Sequence, residues 1–434
     1  MKKIILFVFC ITNMLIAIHA QDINYAHQVI DTLASPSMHG RGYVEDGIKI
    51  AEKYIANEFK RHGLKPIKGS DYSQKLSYTI NTFPGKMIVK IDGKDLIPGK
   101  DFMVDPASGG GKGRYELFFI NKQTFEMPDK ERKFSETNFS KLAAVVDQNG
   151  LETKIDKQKF DSFSKNPFGA KAIIQITDEK FTWSLSEQAR ETPIIYIKRK
   201  SIPSNAKNIS FDIDEKIEKN YSSSNLIGYI KGKEYPDTFL VFTAHYDHLG
   251  MMGNKTYFPG ANDNASGTAM LLNLAQYYGD TAHHSPYSIA FMAFTGEEAG
   301  LSGSYYYVQN PLFPLSKIKM LINMDLMGTG EEGITVVNGS IYEDEFTLLE
   351  NINAKKQYLP QIKKRGKAAN SDHHPFSERK IKSIFIYTMG GIAAYHDIDD
   401  KVSTLPLTAF NNLFRLIRDF VNEFSDGIKS EKGK

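Results

Sequence analysis

The chain has 434 residues, 41% hydrophobic and 24% charged, which suits one large globular domain carrying an insert and excludes a disordered or collagen-like protein. Its formal net charge is +3, with Lys2 and Lys3 contributing at a leader-like start, so no basic field is available to capture nucleic acid or an anionic membrane. Cys10 is the single cysteine and lies in that start, so any metal beyond it must be held by His, Asp and Glu, and disulfides and thiol nucleophiles are excluded there.

The amino terminus reads Met1-Lys2-Lys3, then an apolar run from Ile4 to Ile18, then His19-Ala20-Gln21. A basic start, a short apolar core and a small residue before a polar one predict a secretory signal peptide cleaved after Ala20. The run is short for a bilayer anchor and Asn13 interrupts it. Phe9 before Cys10 does not fit a lipoprotein signal. The expectation is a bacterial protein that is periplasmic or secreted, with no stable membrane anchor after cleavage.

Residues around 22–65 read as helical. From Asp46 to His62, apolar Ile48, Ala51, Tyr54, Ile55 and Phe59 recur at three- and four-residue steps, and Pro36 and the Gly40–Gly42 stretch break the helix before it. Strand-like runs follow at Lys86–Ile91, Tyr115–Ile120, Leu142–Val146, Ala172–Ile176 and Pro193–Ile197, separated by Gly, Pro, Asn and Lys. This predicts a smaller β-rich inserted domain over 85–215, with 1–20 as signal and 21–84 plus 216–434 as the main domain. Gly109–Gly111 with Lys112 fails as a phosphate loop, because Gly113 stands where Ser or Thr is required and Pro106 where the first Gly should be.

From about 222 strands and helices alternate. Phe239–Ala244, Tyr287–Phe294, Ile318–Met324 and Ser383–Thr388 read as buried strands, and Ala265–Tyr278 and Pro406 to Phe424 as helices. The alternation predicts an α/β domain, a mixed, mostly parallel sheet with helices on both faces.

Candidate ligands sit just past the strands, where open α/β sheets bind ligands. The first strand runs into His245-Tyr246-Asp247-His248, a histidine with an acid two residues on that could accept its other ring N–H. Asp263 lies in a loop that opens a helix, where a capping cluster is the plainer reading. The second strand ends in Glu297-Glu298, whose mutual repulsion a cation would relieve, leaving one carboxylate as a base. Asp325 follows the third strand amid apolar neighbours and needs a partner or a metal. His396 comes last, with acids close behind. Together these give five ligands and a spare carboxylate, a thiolate-free set that suits zinc in an open site. Three ligands per ion with one carboxylate shared is the arithmetic of a two-metal hydrolase. His283-His284 reads as a surface pair.

These residues resemble family twenty-eight of the metallopeptidases. The matching strings are His245-Tyr246-Asp247-His248-Leu249-Gly250, Gly260-Ala261-Asn262-Asp263-Asn264-Ala265-Ser266-Gly267, Gly296-Glu297-Glu298 with Gly300-Leu301-Ser302-Gly303-Ser304, Asn323-Met324-Asp325-Leu326-Met327-Gly328, Ser371-Asp372-His373 with Phe376, and Tyr395-His396. His39-Gly40-Arg41-Gly42 looks like the family's opening, and the insert is similar to a protease-associated domain. The resemblance implies a zinc aminopeptidase-like fold and two Zn²⁺ per chain, one on His245 and Asp325, the other on Glu298 and His396, with Asp263 bridging. It implies Glu297 as general base acting on a metal-bridging water, Tyr395 as hydrogen-bond donor to the transition state, Asp247 orienting His245, and a cis bond between Asp263 and Asn264. The implied activity is removal of amino-terminal residues from peptide substrates. A glutaminyl cyclase, a carboxypeptidase or dipeptidase of the same fold, and a metal-free binding ectodomain are the alternatives.

Overall fold

The computed structural model of the chain describes residues 22–432, so the expected signal peptide lies outside the described residues. No helix among the described residues is long and apolar enough to cross a membrane.

The continuous apolar runs form the centre of a nine-stranded sheet. Tyr287–Phe294, Tyr235–His245, Ile318–Met324 and Ser383–Thr388 lie side by side in that order, all parallel. Tyr287–Phe294 is buried at every position, as a strand covered on both faces must be. Antiparallel strands flank this centre: Lys216–Ile230 beside Tyr287–Phe294, and Ile334–Val337 beside Ser383–Thr388. The sheet is therefore mixed, parallel where the site lies and antiparallel towards its edges.

Successive residues of Tyr235–His245 point to opposite faces. Leu240, Phe242 and Ala244 enter a core shared with the helices Ile23–Leu33, Gly47–Arg61, Gly267–Gly279 and Phe410–Lys432. Phe239 and Val241 enter a second core with Tyr307, Phe313 and Phe376. Helices on both faces are thus the expected arrangement. The predicted helix over 46–62 is Gly47–Arg61, and it buries Ile48, Ala51, Ile55 and Phe59.

Ser73–Thr82 pairs antiparallel with Lys216–Ile230, from Thr82 opposite Lys216 to Ser73 opposite Leu226. This ribbon takes the chain out to a second sheet, of eight strands, and back. The middle of that sheet is parallel, built from Gly111–Ile120, Leu142–Asp147, Ala172–Thr177 and Ile194–Lys198. Helices Lys122–Glu126, Pro128–Glu136 and Lys154–Phe163 lie near one face, where Phe125, Phe134, Phe139, Phe160 and Phe163 cluster. The periodicity does not predict these helices, because they are short and mostly charged. The other face turns towards the first sheet. There Phe102, Val104, Trp183 and Ile195 share a core with Leu249, Met252 and Phe258, which come from the loops after Tyr235–His245.

Candidate metal centre

The predicted ligands gather at the carboxyl ends of the central strands, some at the strand ends and others on the loops beyond them, where a parallel sheet brings such groups to one rim. His245 is the last residue of its strand, Glu297 and Glu298 follow Tyr287–Phe294 by three and four positions, and Asp325 directly follows Ile318–Met324. Asp263 lies in the irregular turn Ala261–Ser266 that opens the helix Gly267–Gly279, and the bond between Asp263 and Asn264 is cis. His396 lies in the loop beyond Ser383–Thr388.

The side chains meet. His245 Nε2 is 3.5 Å from Asp263 Oδ1 and 3.4 Å from Asp325 Oδ2. His396 Nε2 is 3.0 Å from Asp263 Oδ2 and 3.2 Å from Glu298 Oε2. Asp263 thus offers one oxygen to each imidazole. Two donors on one tetrahedral zinc lie about 3.3 Å apart, given bonds of about 2.0–2.1 Å, and these four separations cluster round that value. Ligand atoms of His245, Glu297 and Asp325 form one tight group and those of His248, Asp263 and Glu298 another. Asp325 Oδ1 and His248 Nε2 are buried with no hydrogen-bond partner, which a cation would explain. The donor set, imidazole and carboxylate without thiolate, fits zinc.

Charge agrees with that fit. Four carboxylates, Asp263, Glu297, Glu298 and Asp325, crowd three imidazoles, His245, His248 and His396, in a buried space, and cations balance such an excess. Burial opposes charging His396, but Glu298 and Asp263 outweigh it and push the imidazole up to about 11. Burial likewise acts against ionising Glu298, yet His396 and His248 hold its carboxyl well below the usual range. Glu297 is the opposite case. Burial pushes it well above the usual range, His245 pulls it back, and Glu298, Asp372 and Asp325 add to the rise. Adjacent glutamates therefore differ in proton affinity because of what each faces.

The supporting shell holds several residues that the motif reading left without a role. His248 Nδ1 lies 2.7 Å from Glu298 Oε1, leaving Oε2 towards His396. Ser371 Oγ donates to Asp325 Oδ2 at 3.2 Å. Asp400 accepts from the Asn262 and Asp263 amides at 2.8 and 2.9 Å and so fixes the turn that aims Asp263. His396 Nδ1 lies 2.8 Å from the Trp183 carbonyl, which puts its proton on Nδ1 and frees Nε2 for the cluster. Asp247 touches His245 Nδ1 mainly through its own main-chain carbonyl, at 3.1 Å; its carboxylate is 3.7 Å away. That carboxylate is instead occupied by the amides of Glu297 and Glu298, at 3.2 and 3.3 Å. Tyr395 is 45% exposed and stacks on His396 with ring centroids 4.0 Å apart, beside the cluster and open to solvent. His373 is buried and stacks obliquely on Phe385, apart from the metal groups.

Residues 225–421, which hold every one of these ligands, match the family model for peptidase family M28. The chain carries a peptidase family M28 domain. A 230-residue stretch is 31% identical to aminopeptidase YwaD of Bacillus subtilis, covering 50% of this chain and 47% of that protein. A further match, 36% identical over 115 residues, is to a probable zinc metalloprotease of Pyrenophora tritici-repentis, over 25% of this chain and 23% of that one. The chain thus spans about half or less of the length of these curated relatives. The likeness in fold reaches beyond those residues: a zinc aminopeptidase of Bacillus subtilis superposes with a TM-score of 0.68 at 21% identity, over 93% of this chain and 95% of its own. A peptidase M28 precursor from Shewanella amazonensis superposes at 0.65 with 14% identity, over 92% of each.

Proposed function

We propose that this M28 protein is an exported zinc exopeptidase that removes amino-terminal residues from peptides and holds two zinc ions per chain. The observation that carries the reading is the carboxylate of Asp263, with Oδ1 3.5 Å from His245 Nε2, which also meets Asp325, and Oδ2 3.0 Å from His396 Nε2, which also meets Glu298. The likeness to a protein named aminopeptidase and to one named zinc metalloprotease supports it, and the leader-like sequence of residues 1–20 supports export.

Zinc held by His245, Asp263, Glu298, Asp325 and His396 would supply polarisation of a scissile carbonyl and a lowered proton affinity for water. The remaining work falls to side chains. Glu297, whose carboxylate is grouped with His245 and Asp325, takes a proton from the attacking water and returns it to the leaving amine. The Tyr395 hydroxyl, at the open side of the cluster, donates to the oxyanion as charge develops. Asp247 holds the Glu297-Glu298 turn by its amides, so base and ligand keep their separate aims.

A second reading is peptide cyclisation. A 220-residue stretch is 27% identical to a glutaminyl-peptide cyclotransferase of Drosophila melanogaster, over 43% of this chain and 62% of that one. A panel of peptides blocked at either end, dipeptides and amino-terminal glutaminyl peptides, run with and without chelator, separates the two. The account predicts chelator-sensitive release of amino-terminal residues from carboxy-blocked peptides. Ammonia release from glutaminyl peptides without hydrolysis of the others contradicts it.

A further inference from the structure

The loop that carries Tyr395 and His396 is held by the other half of the molecule. Between the insert strands Ala172–Thr177 and Ile194–Lys198 the chain leaves the second sheet and reaches the first. The Trp183 amide donates to the His396 carbonyl at 2.8 Å, while the Trp183 carbonyl accepts from His396 Nδ1. Three residues earlier, Lys180 Nζ donates to the carbonyls of Ala393 and Tyr395, each at 2.9 Å, and pairs with Asp397 at 2.7 Å. The strap is itself anchored at both ends of the Trp183 ring. Nε1 donates to the Val104 carbonyl of the insert at 2.9 Å, and the ring stacks on Phe258 at 4.7 Å, five residues before Asp263.

The contacts fall on main-chain atoms of the loop as well as on His396 itself, so they set the loop's path. His396 has φ of 53°, a backbone conformation unfavourable for a residue with a Cβ unless its surroundings impose it. We infer that the insert segment around Lys180 and Trp183 is a positioning strap, which holds the Tyr395–His396 loop so that His396 presents Nε2 to Asp263 and Glu298. The insert is then part of the construction of the catalytic centre, and Lys180 and Trp183 are positioning residues on it. This rests on the reading of His396 as a zinc ligand.

Trp183 is the only tryptophan of the chain, so its emission reports on the strap. The test is stepwise addition of zinc to the metal-stripped full-length protein, following bound zinc and tryptophan emission together. In the wild type, one of two equivalents alters the emission. Lys180 is 43% exposed, so Lys180→Met leaves the fold standing. In that variant the emission-coupled equivalent binds about 10–100-fold more weakly, the range for loss of an outer-shell partner, while the other equivalent is unchanged. Its kcat falls with little change in KM, and Lys180→Arg recovers both properties. A Lys180→Met protein that takes both equivalents with wild-type affinity and turns over normally overturns the strap. A His396→Ala protein is the separate control. If it keeps both equivalents, the ligand reading itself falls and the strap with it; if it loses one while Lys180→Met loses none, only the strap falls.

Discussion

Glu297→Gln lowers kcat by about 10³-fold while the protein keeps its zinc and its stability. Amide and acid have nearly the same shape, so the buried turn after Tyr287–Phe294 stays packed, and the Asp247 carboxylate still accepts the two backbone amides. What is lost is a group able to take a proton, and a positioned general base contributes roughly 10²–10⁴-fold. A loss of 10³ corresponds to about 4 kcal/mol of transition-state stabilisation. KM stays within a few-fold, because the base acts on the reacting water and not on substrate affinity. Steady-state kinetics with parallel metal analysis reads both quantities. Turnover within tenfold of the wild type assigns the proton transfer to another group; loss of zinc along with activity makes Glu297 a ligand, as its grouping with His245 and Asp325 would also permit.

Arg41→Met destabilises the protein by about 4 kcal/mol or more. Arginine has five N–H donors, and in this fully buried side chain all five are engaged: Nε by the Tyr246 carbonyl, Nη1 by those of Leu33 and Pro259, and Nη2 by those of Gly260 and Asp263. The guanidinium thus joins the first helix, the His245 loop and the Asp263 turn. Burial lowers its pKa to about 10, and Asp263, Asp400, Asp247 and Glu298 work against that fall, so it remains charged at neutral pH. Met fills the stem but donates nothing. Removing one member of a buried charged network costs about 3–5 kcal/mol, and stranded carbonyls add to it. The glycines on either side of Arg41 are fixed by the same junction: a Cβ on Gly40 would lie 2.3 Å from the Gly250 carbonyl oxygen, and one on Gly42 2.3 Å from the Gly250 Cα. Chemical denaturation followed by circular dichroism measures the loss. A midpoint within the error of the wild type shows that the hub contributes nothing that water cannot replace.

The sequence displays some parts of this molecule and hides others for physical reasons. Tyr287–Phe294, Ile318–Met324 and Ser383–Thr388 appear at their true bounds, because a strand buried on both faces is a continuous apolar run that turn residues interrupt sharply. Lys216–Ile230, the longest strand, does not stand out, since its first half is a largely solvent-facing ribbon of Lys, Glu, Asn and Ser. Pro128–Glu136 is missed as a helix because none of its side chains is buried. Four of the five ligand candidates are legible because the acid or imidazole closely follows an apolar strand or opens a helix; His396, in the loop beyond Ser383–Thr388, is legible by the acids close behind it. The groups that aim them are not. Asp400 is 137 residues from Asp263, and Trp183 is 213 from His396. Such partners carry no local pattern, and only the packing of the insert against the main sheet brings Trp183 to His396. For the same reason the carbonyl of Asp247, not its carboxylate, emerges as the nearer partner of His245.

Native mass spectrometry of the purified protein, with and without the Asp263→Asn substitution, weighs the metal directly. Two zinc ions on each wild-type chain, and their weakened retention when the Asp263 carboxylate is replaced, is the outcome the proposal predicts. A wild-type chain that carries one ion or none under zinc saturation, or a variant that holds two as tightly, contradicts it.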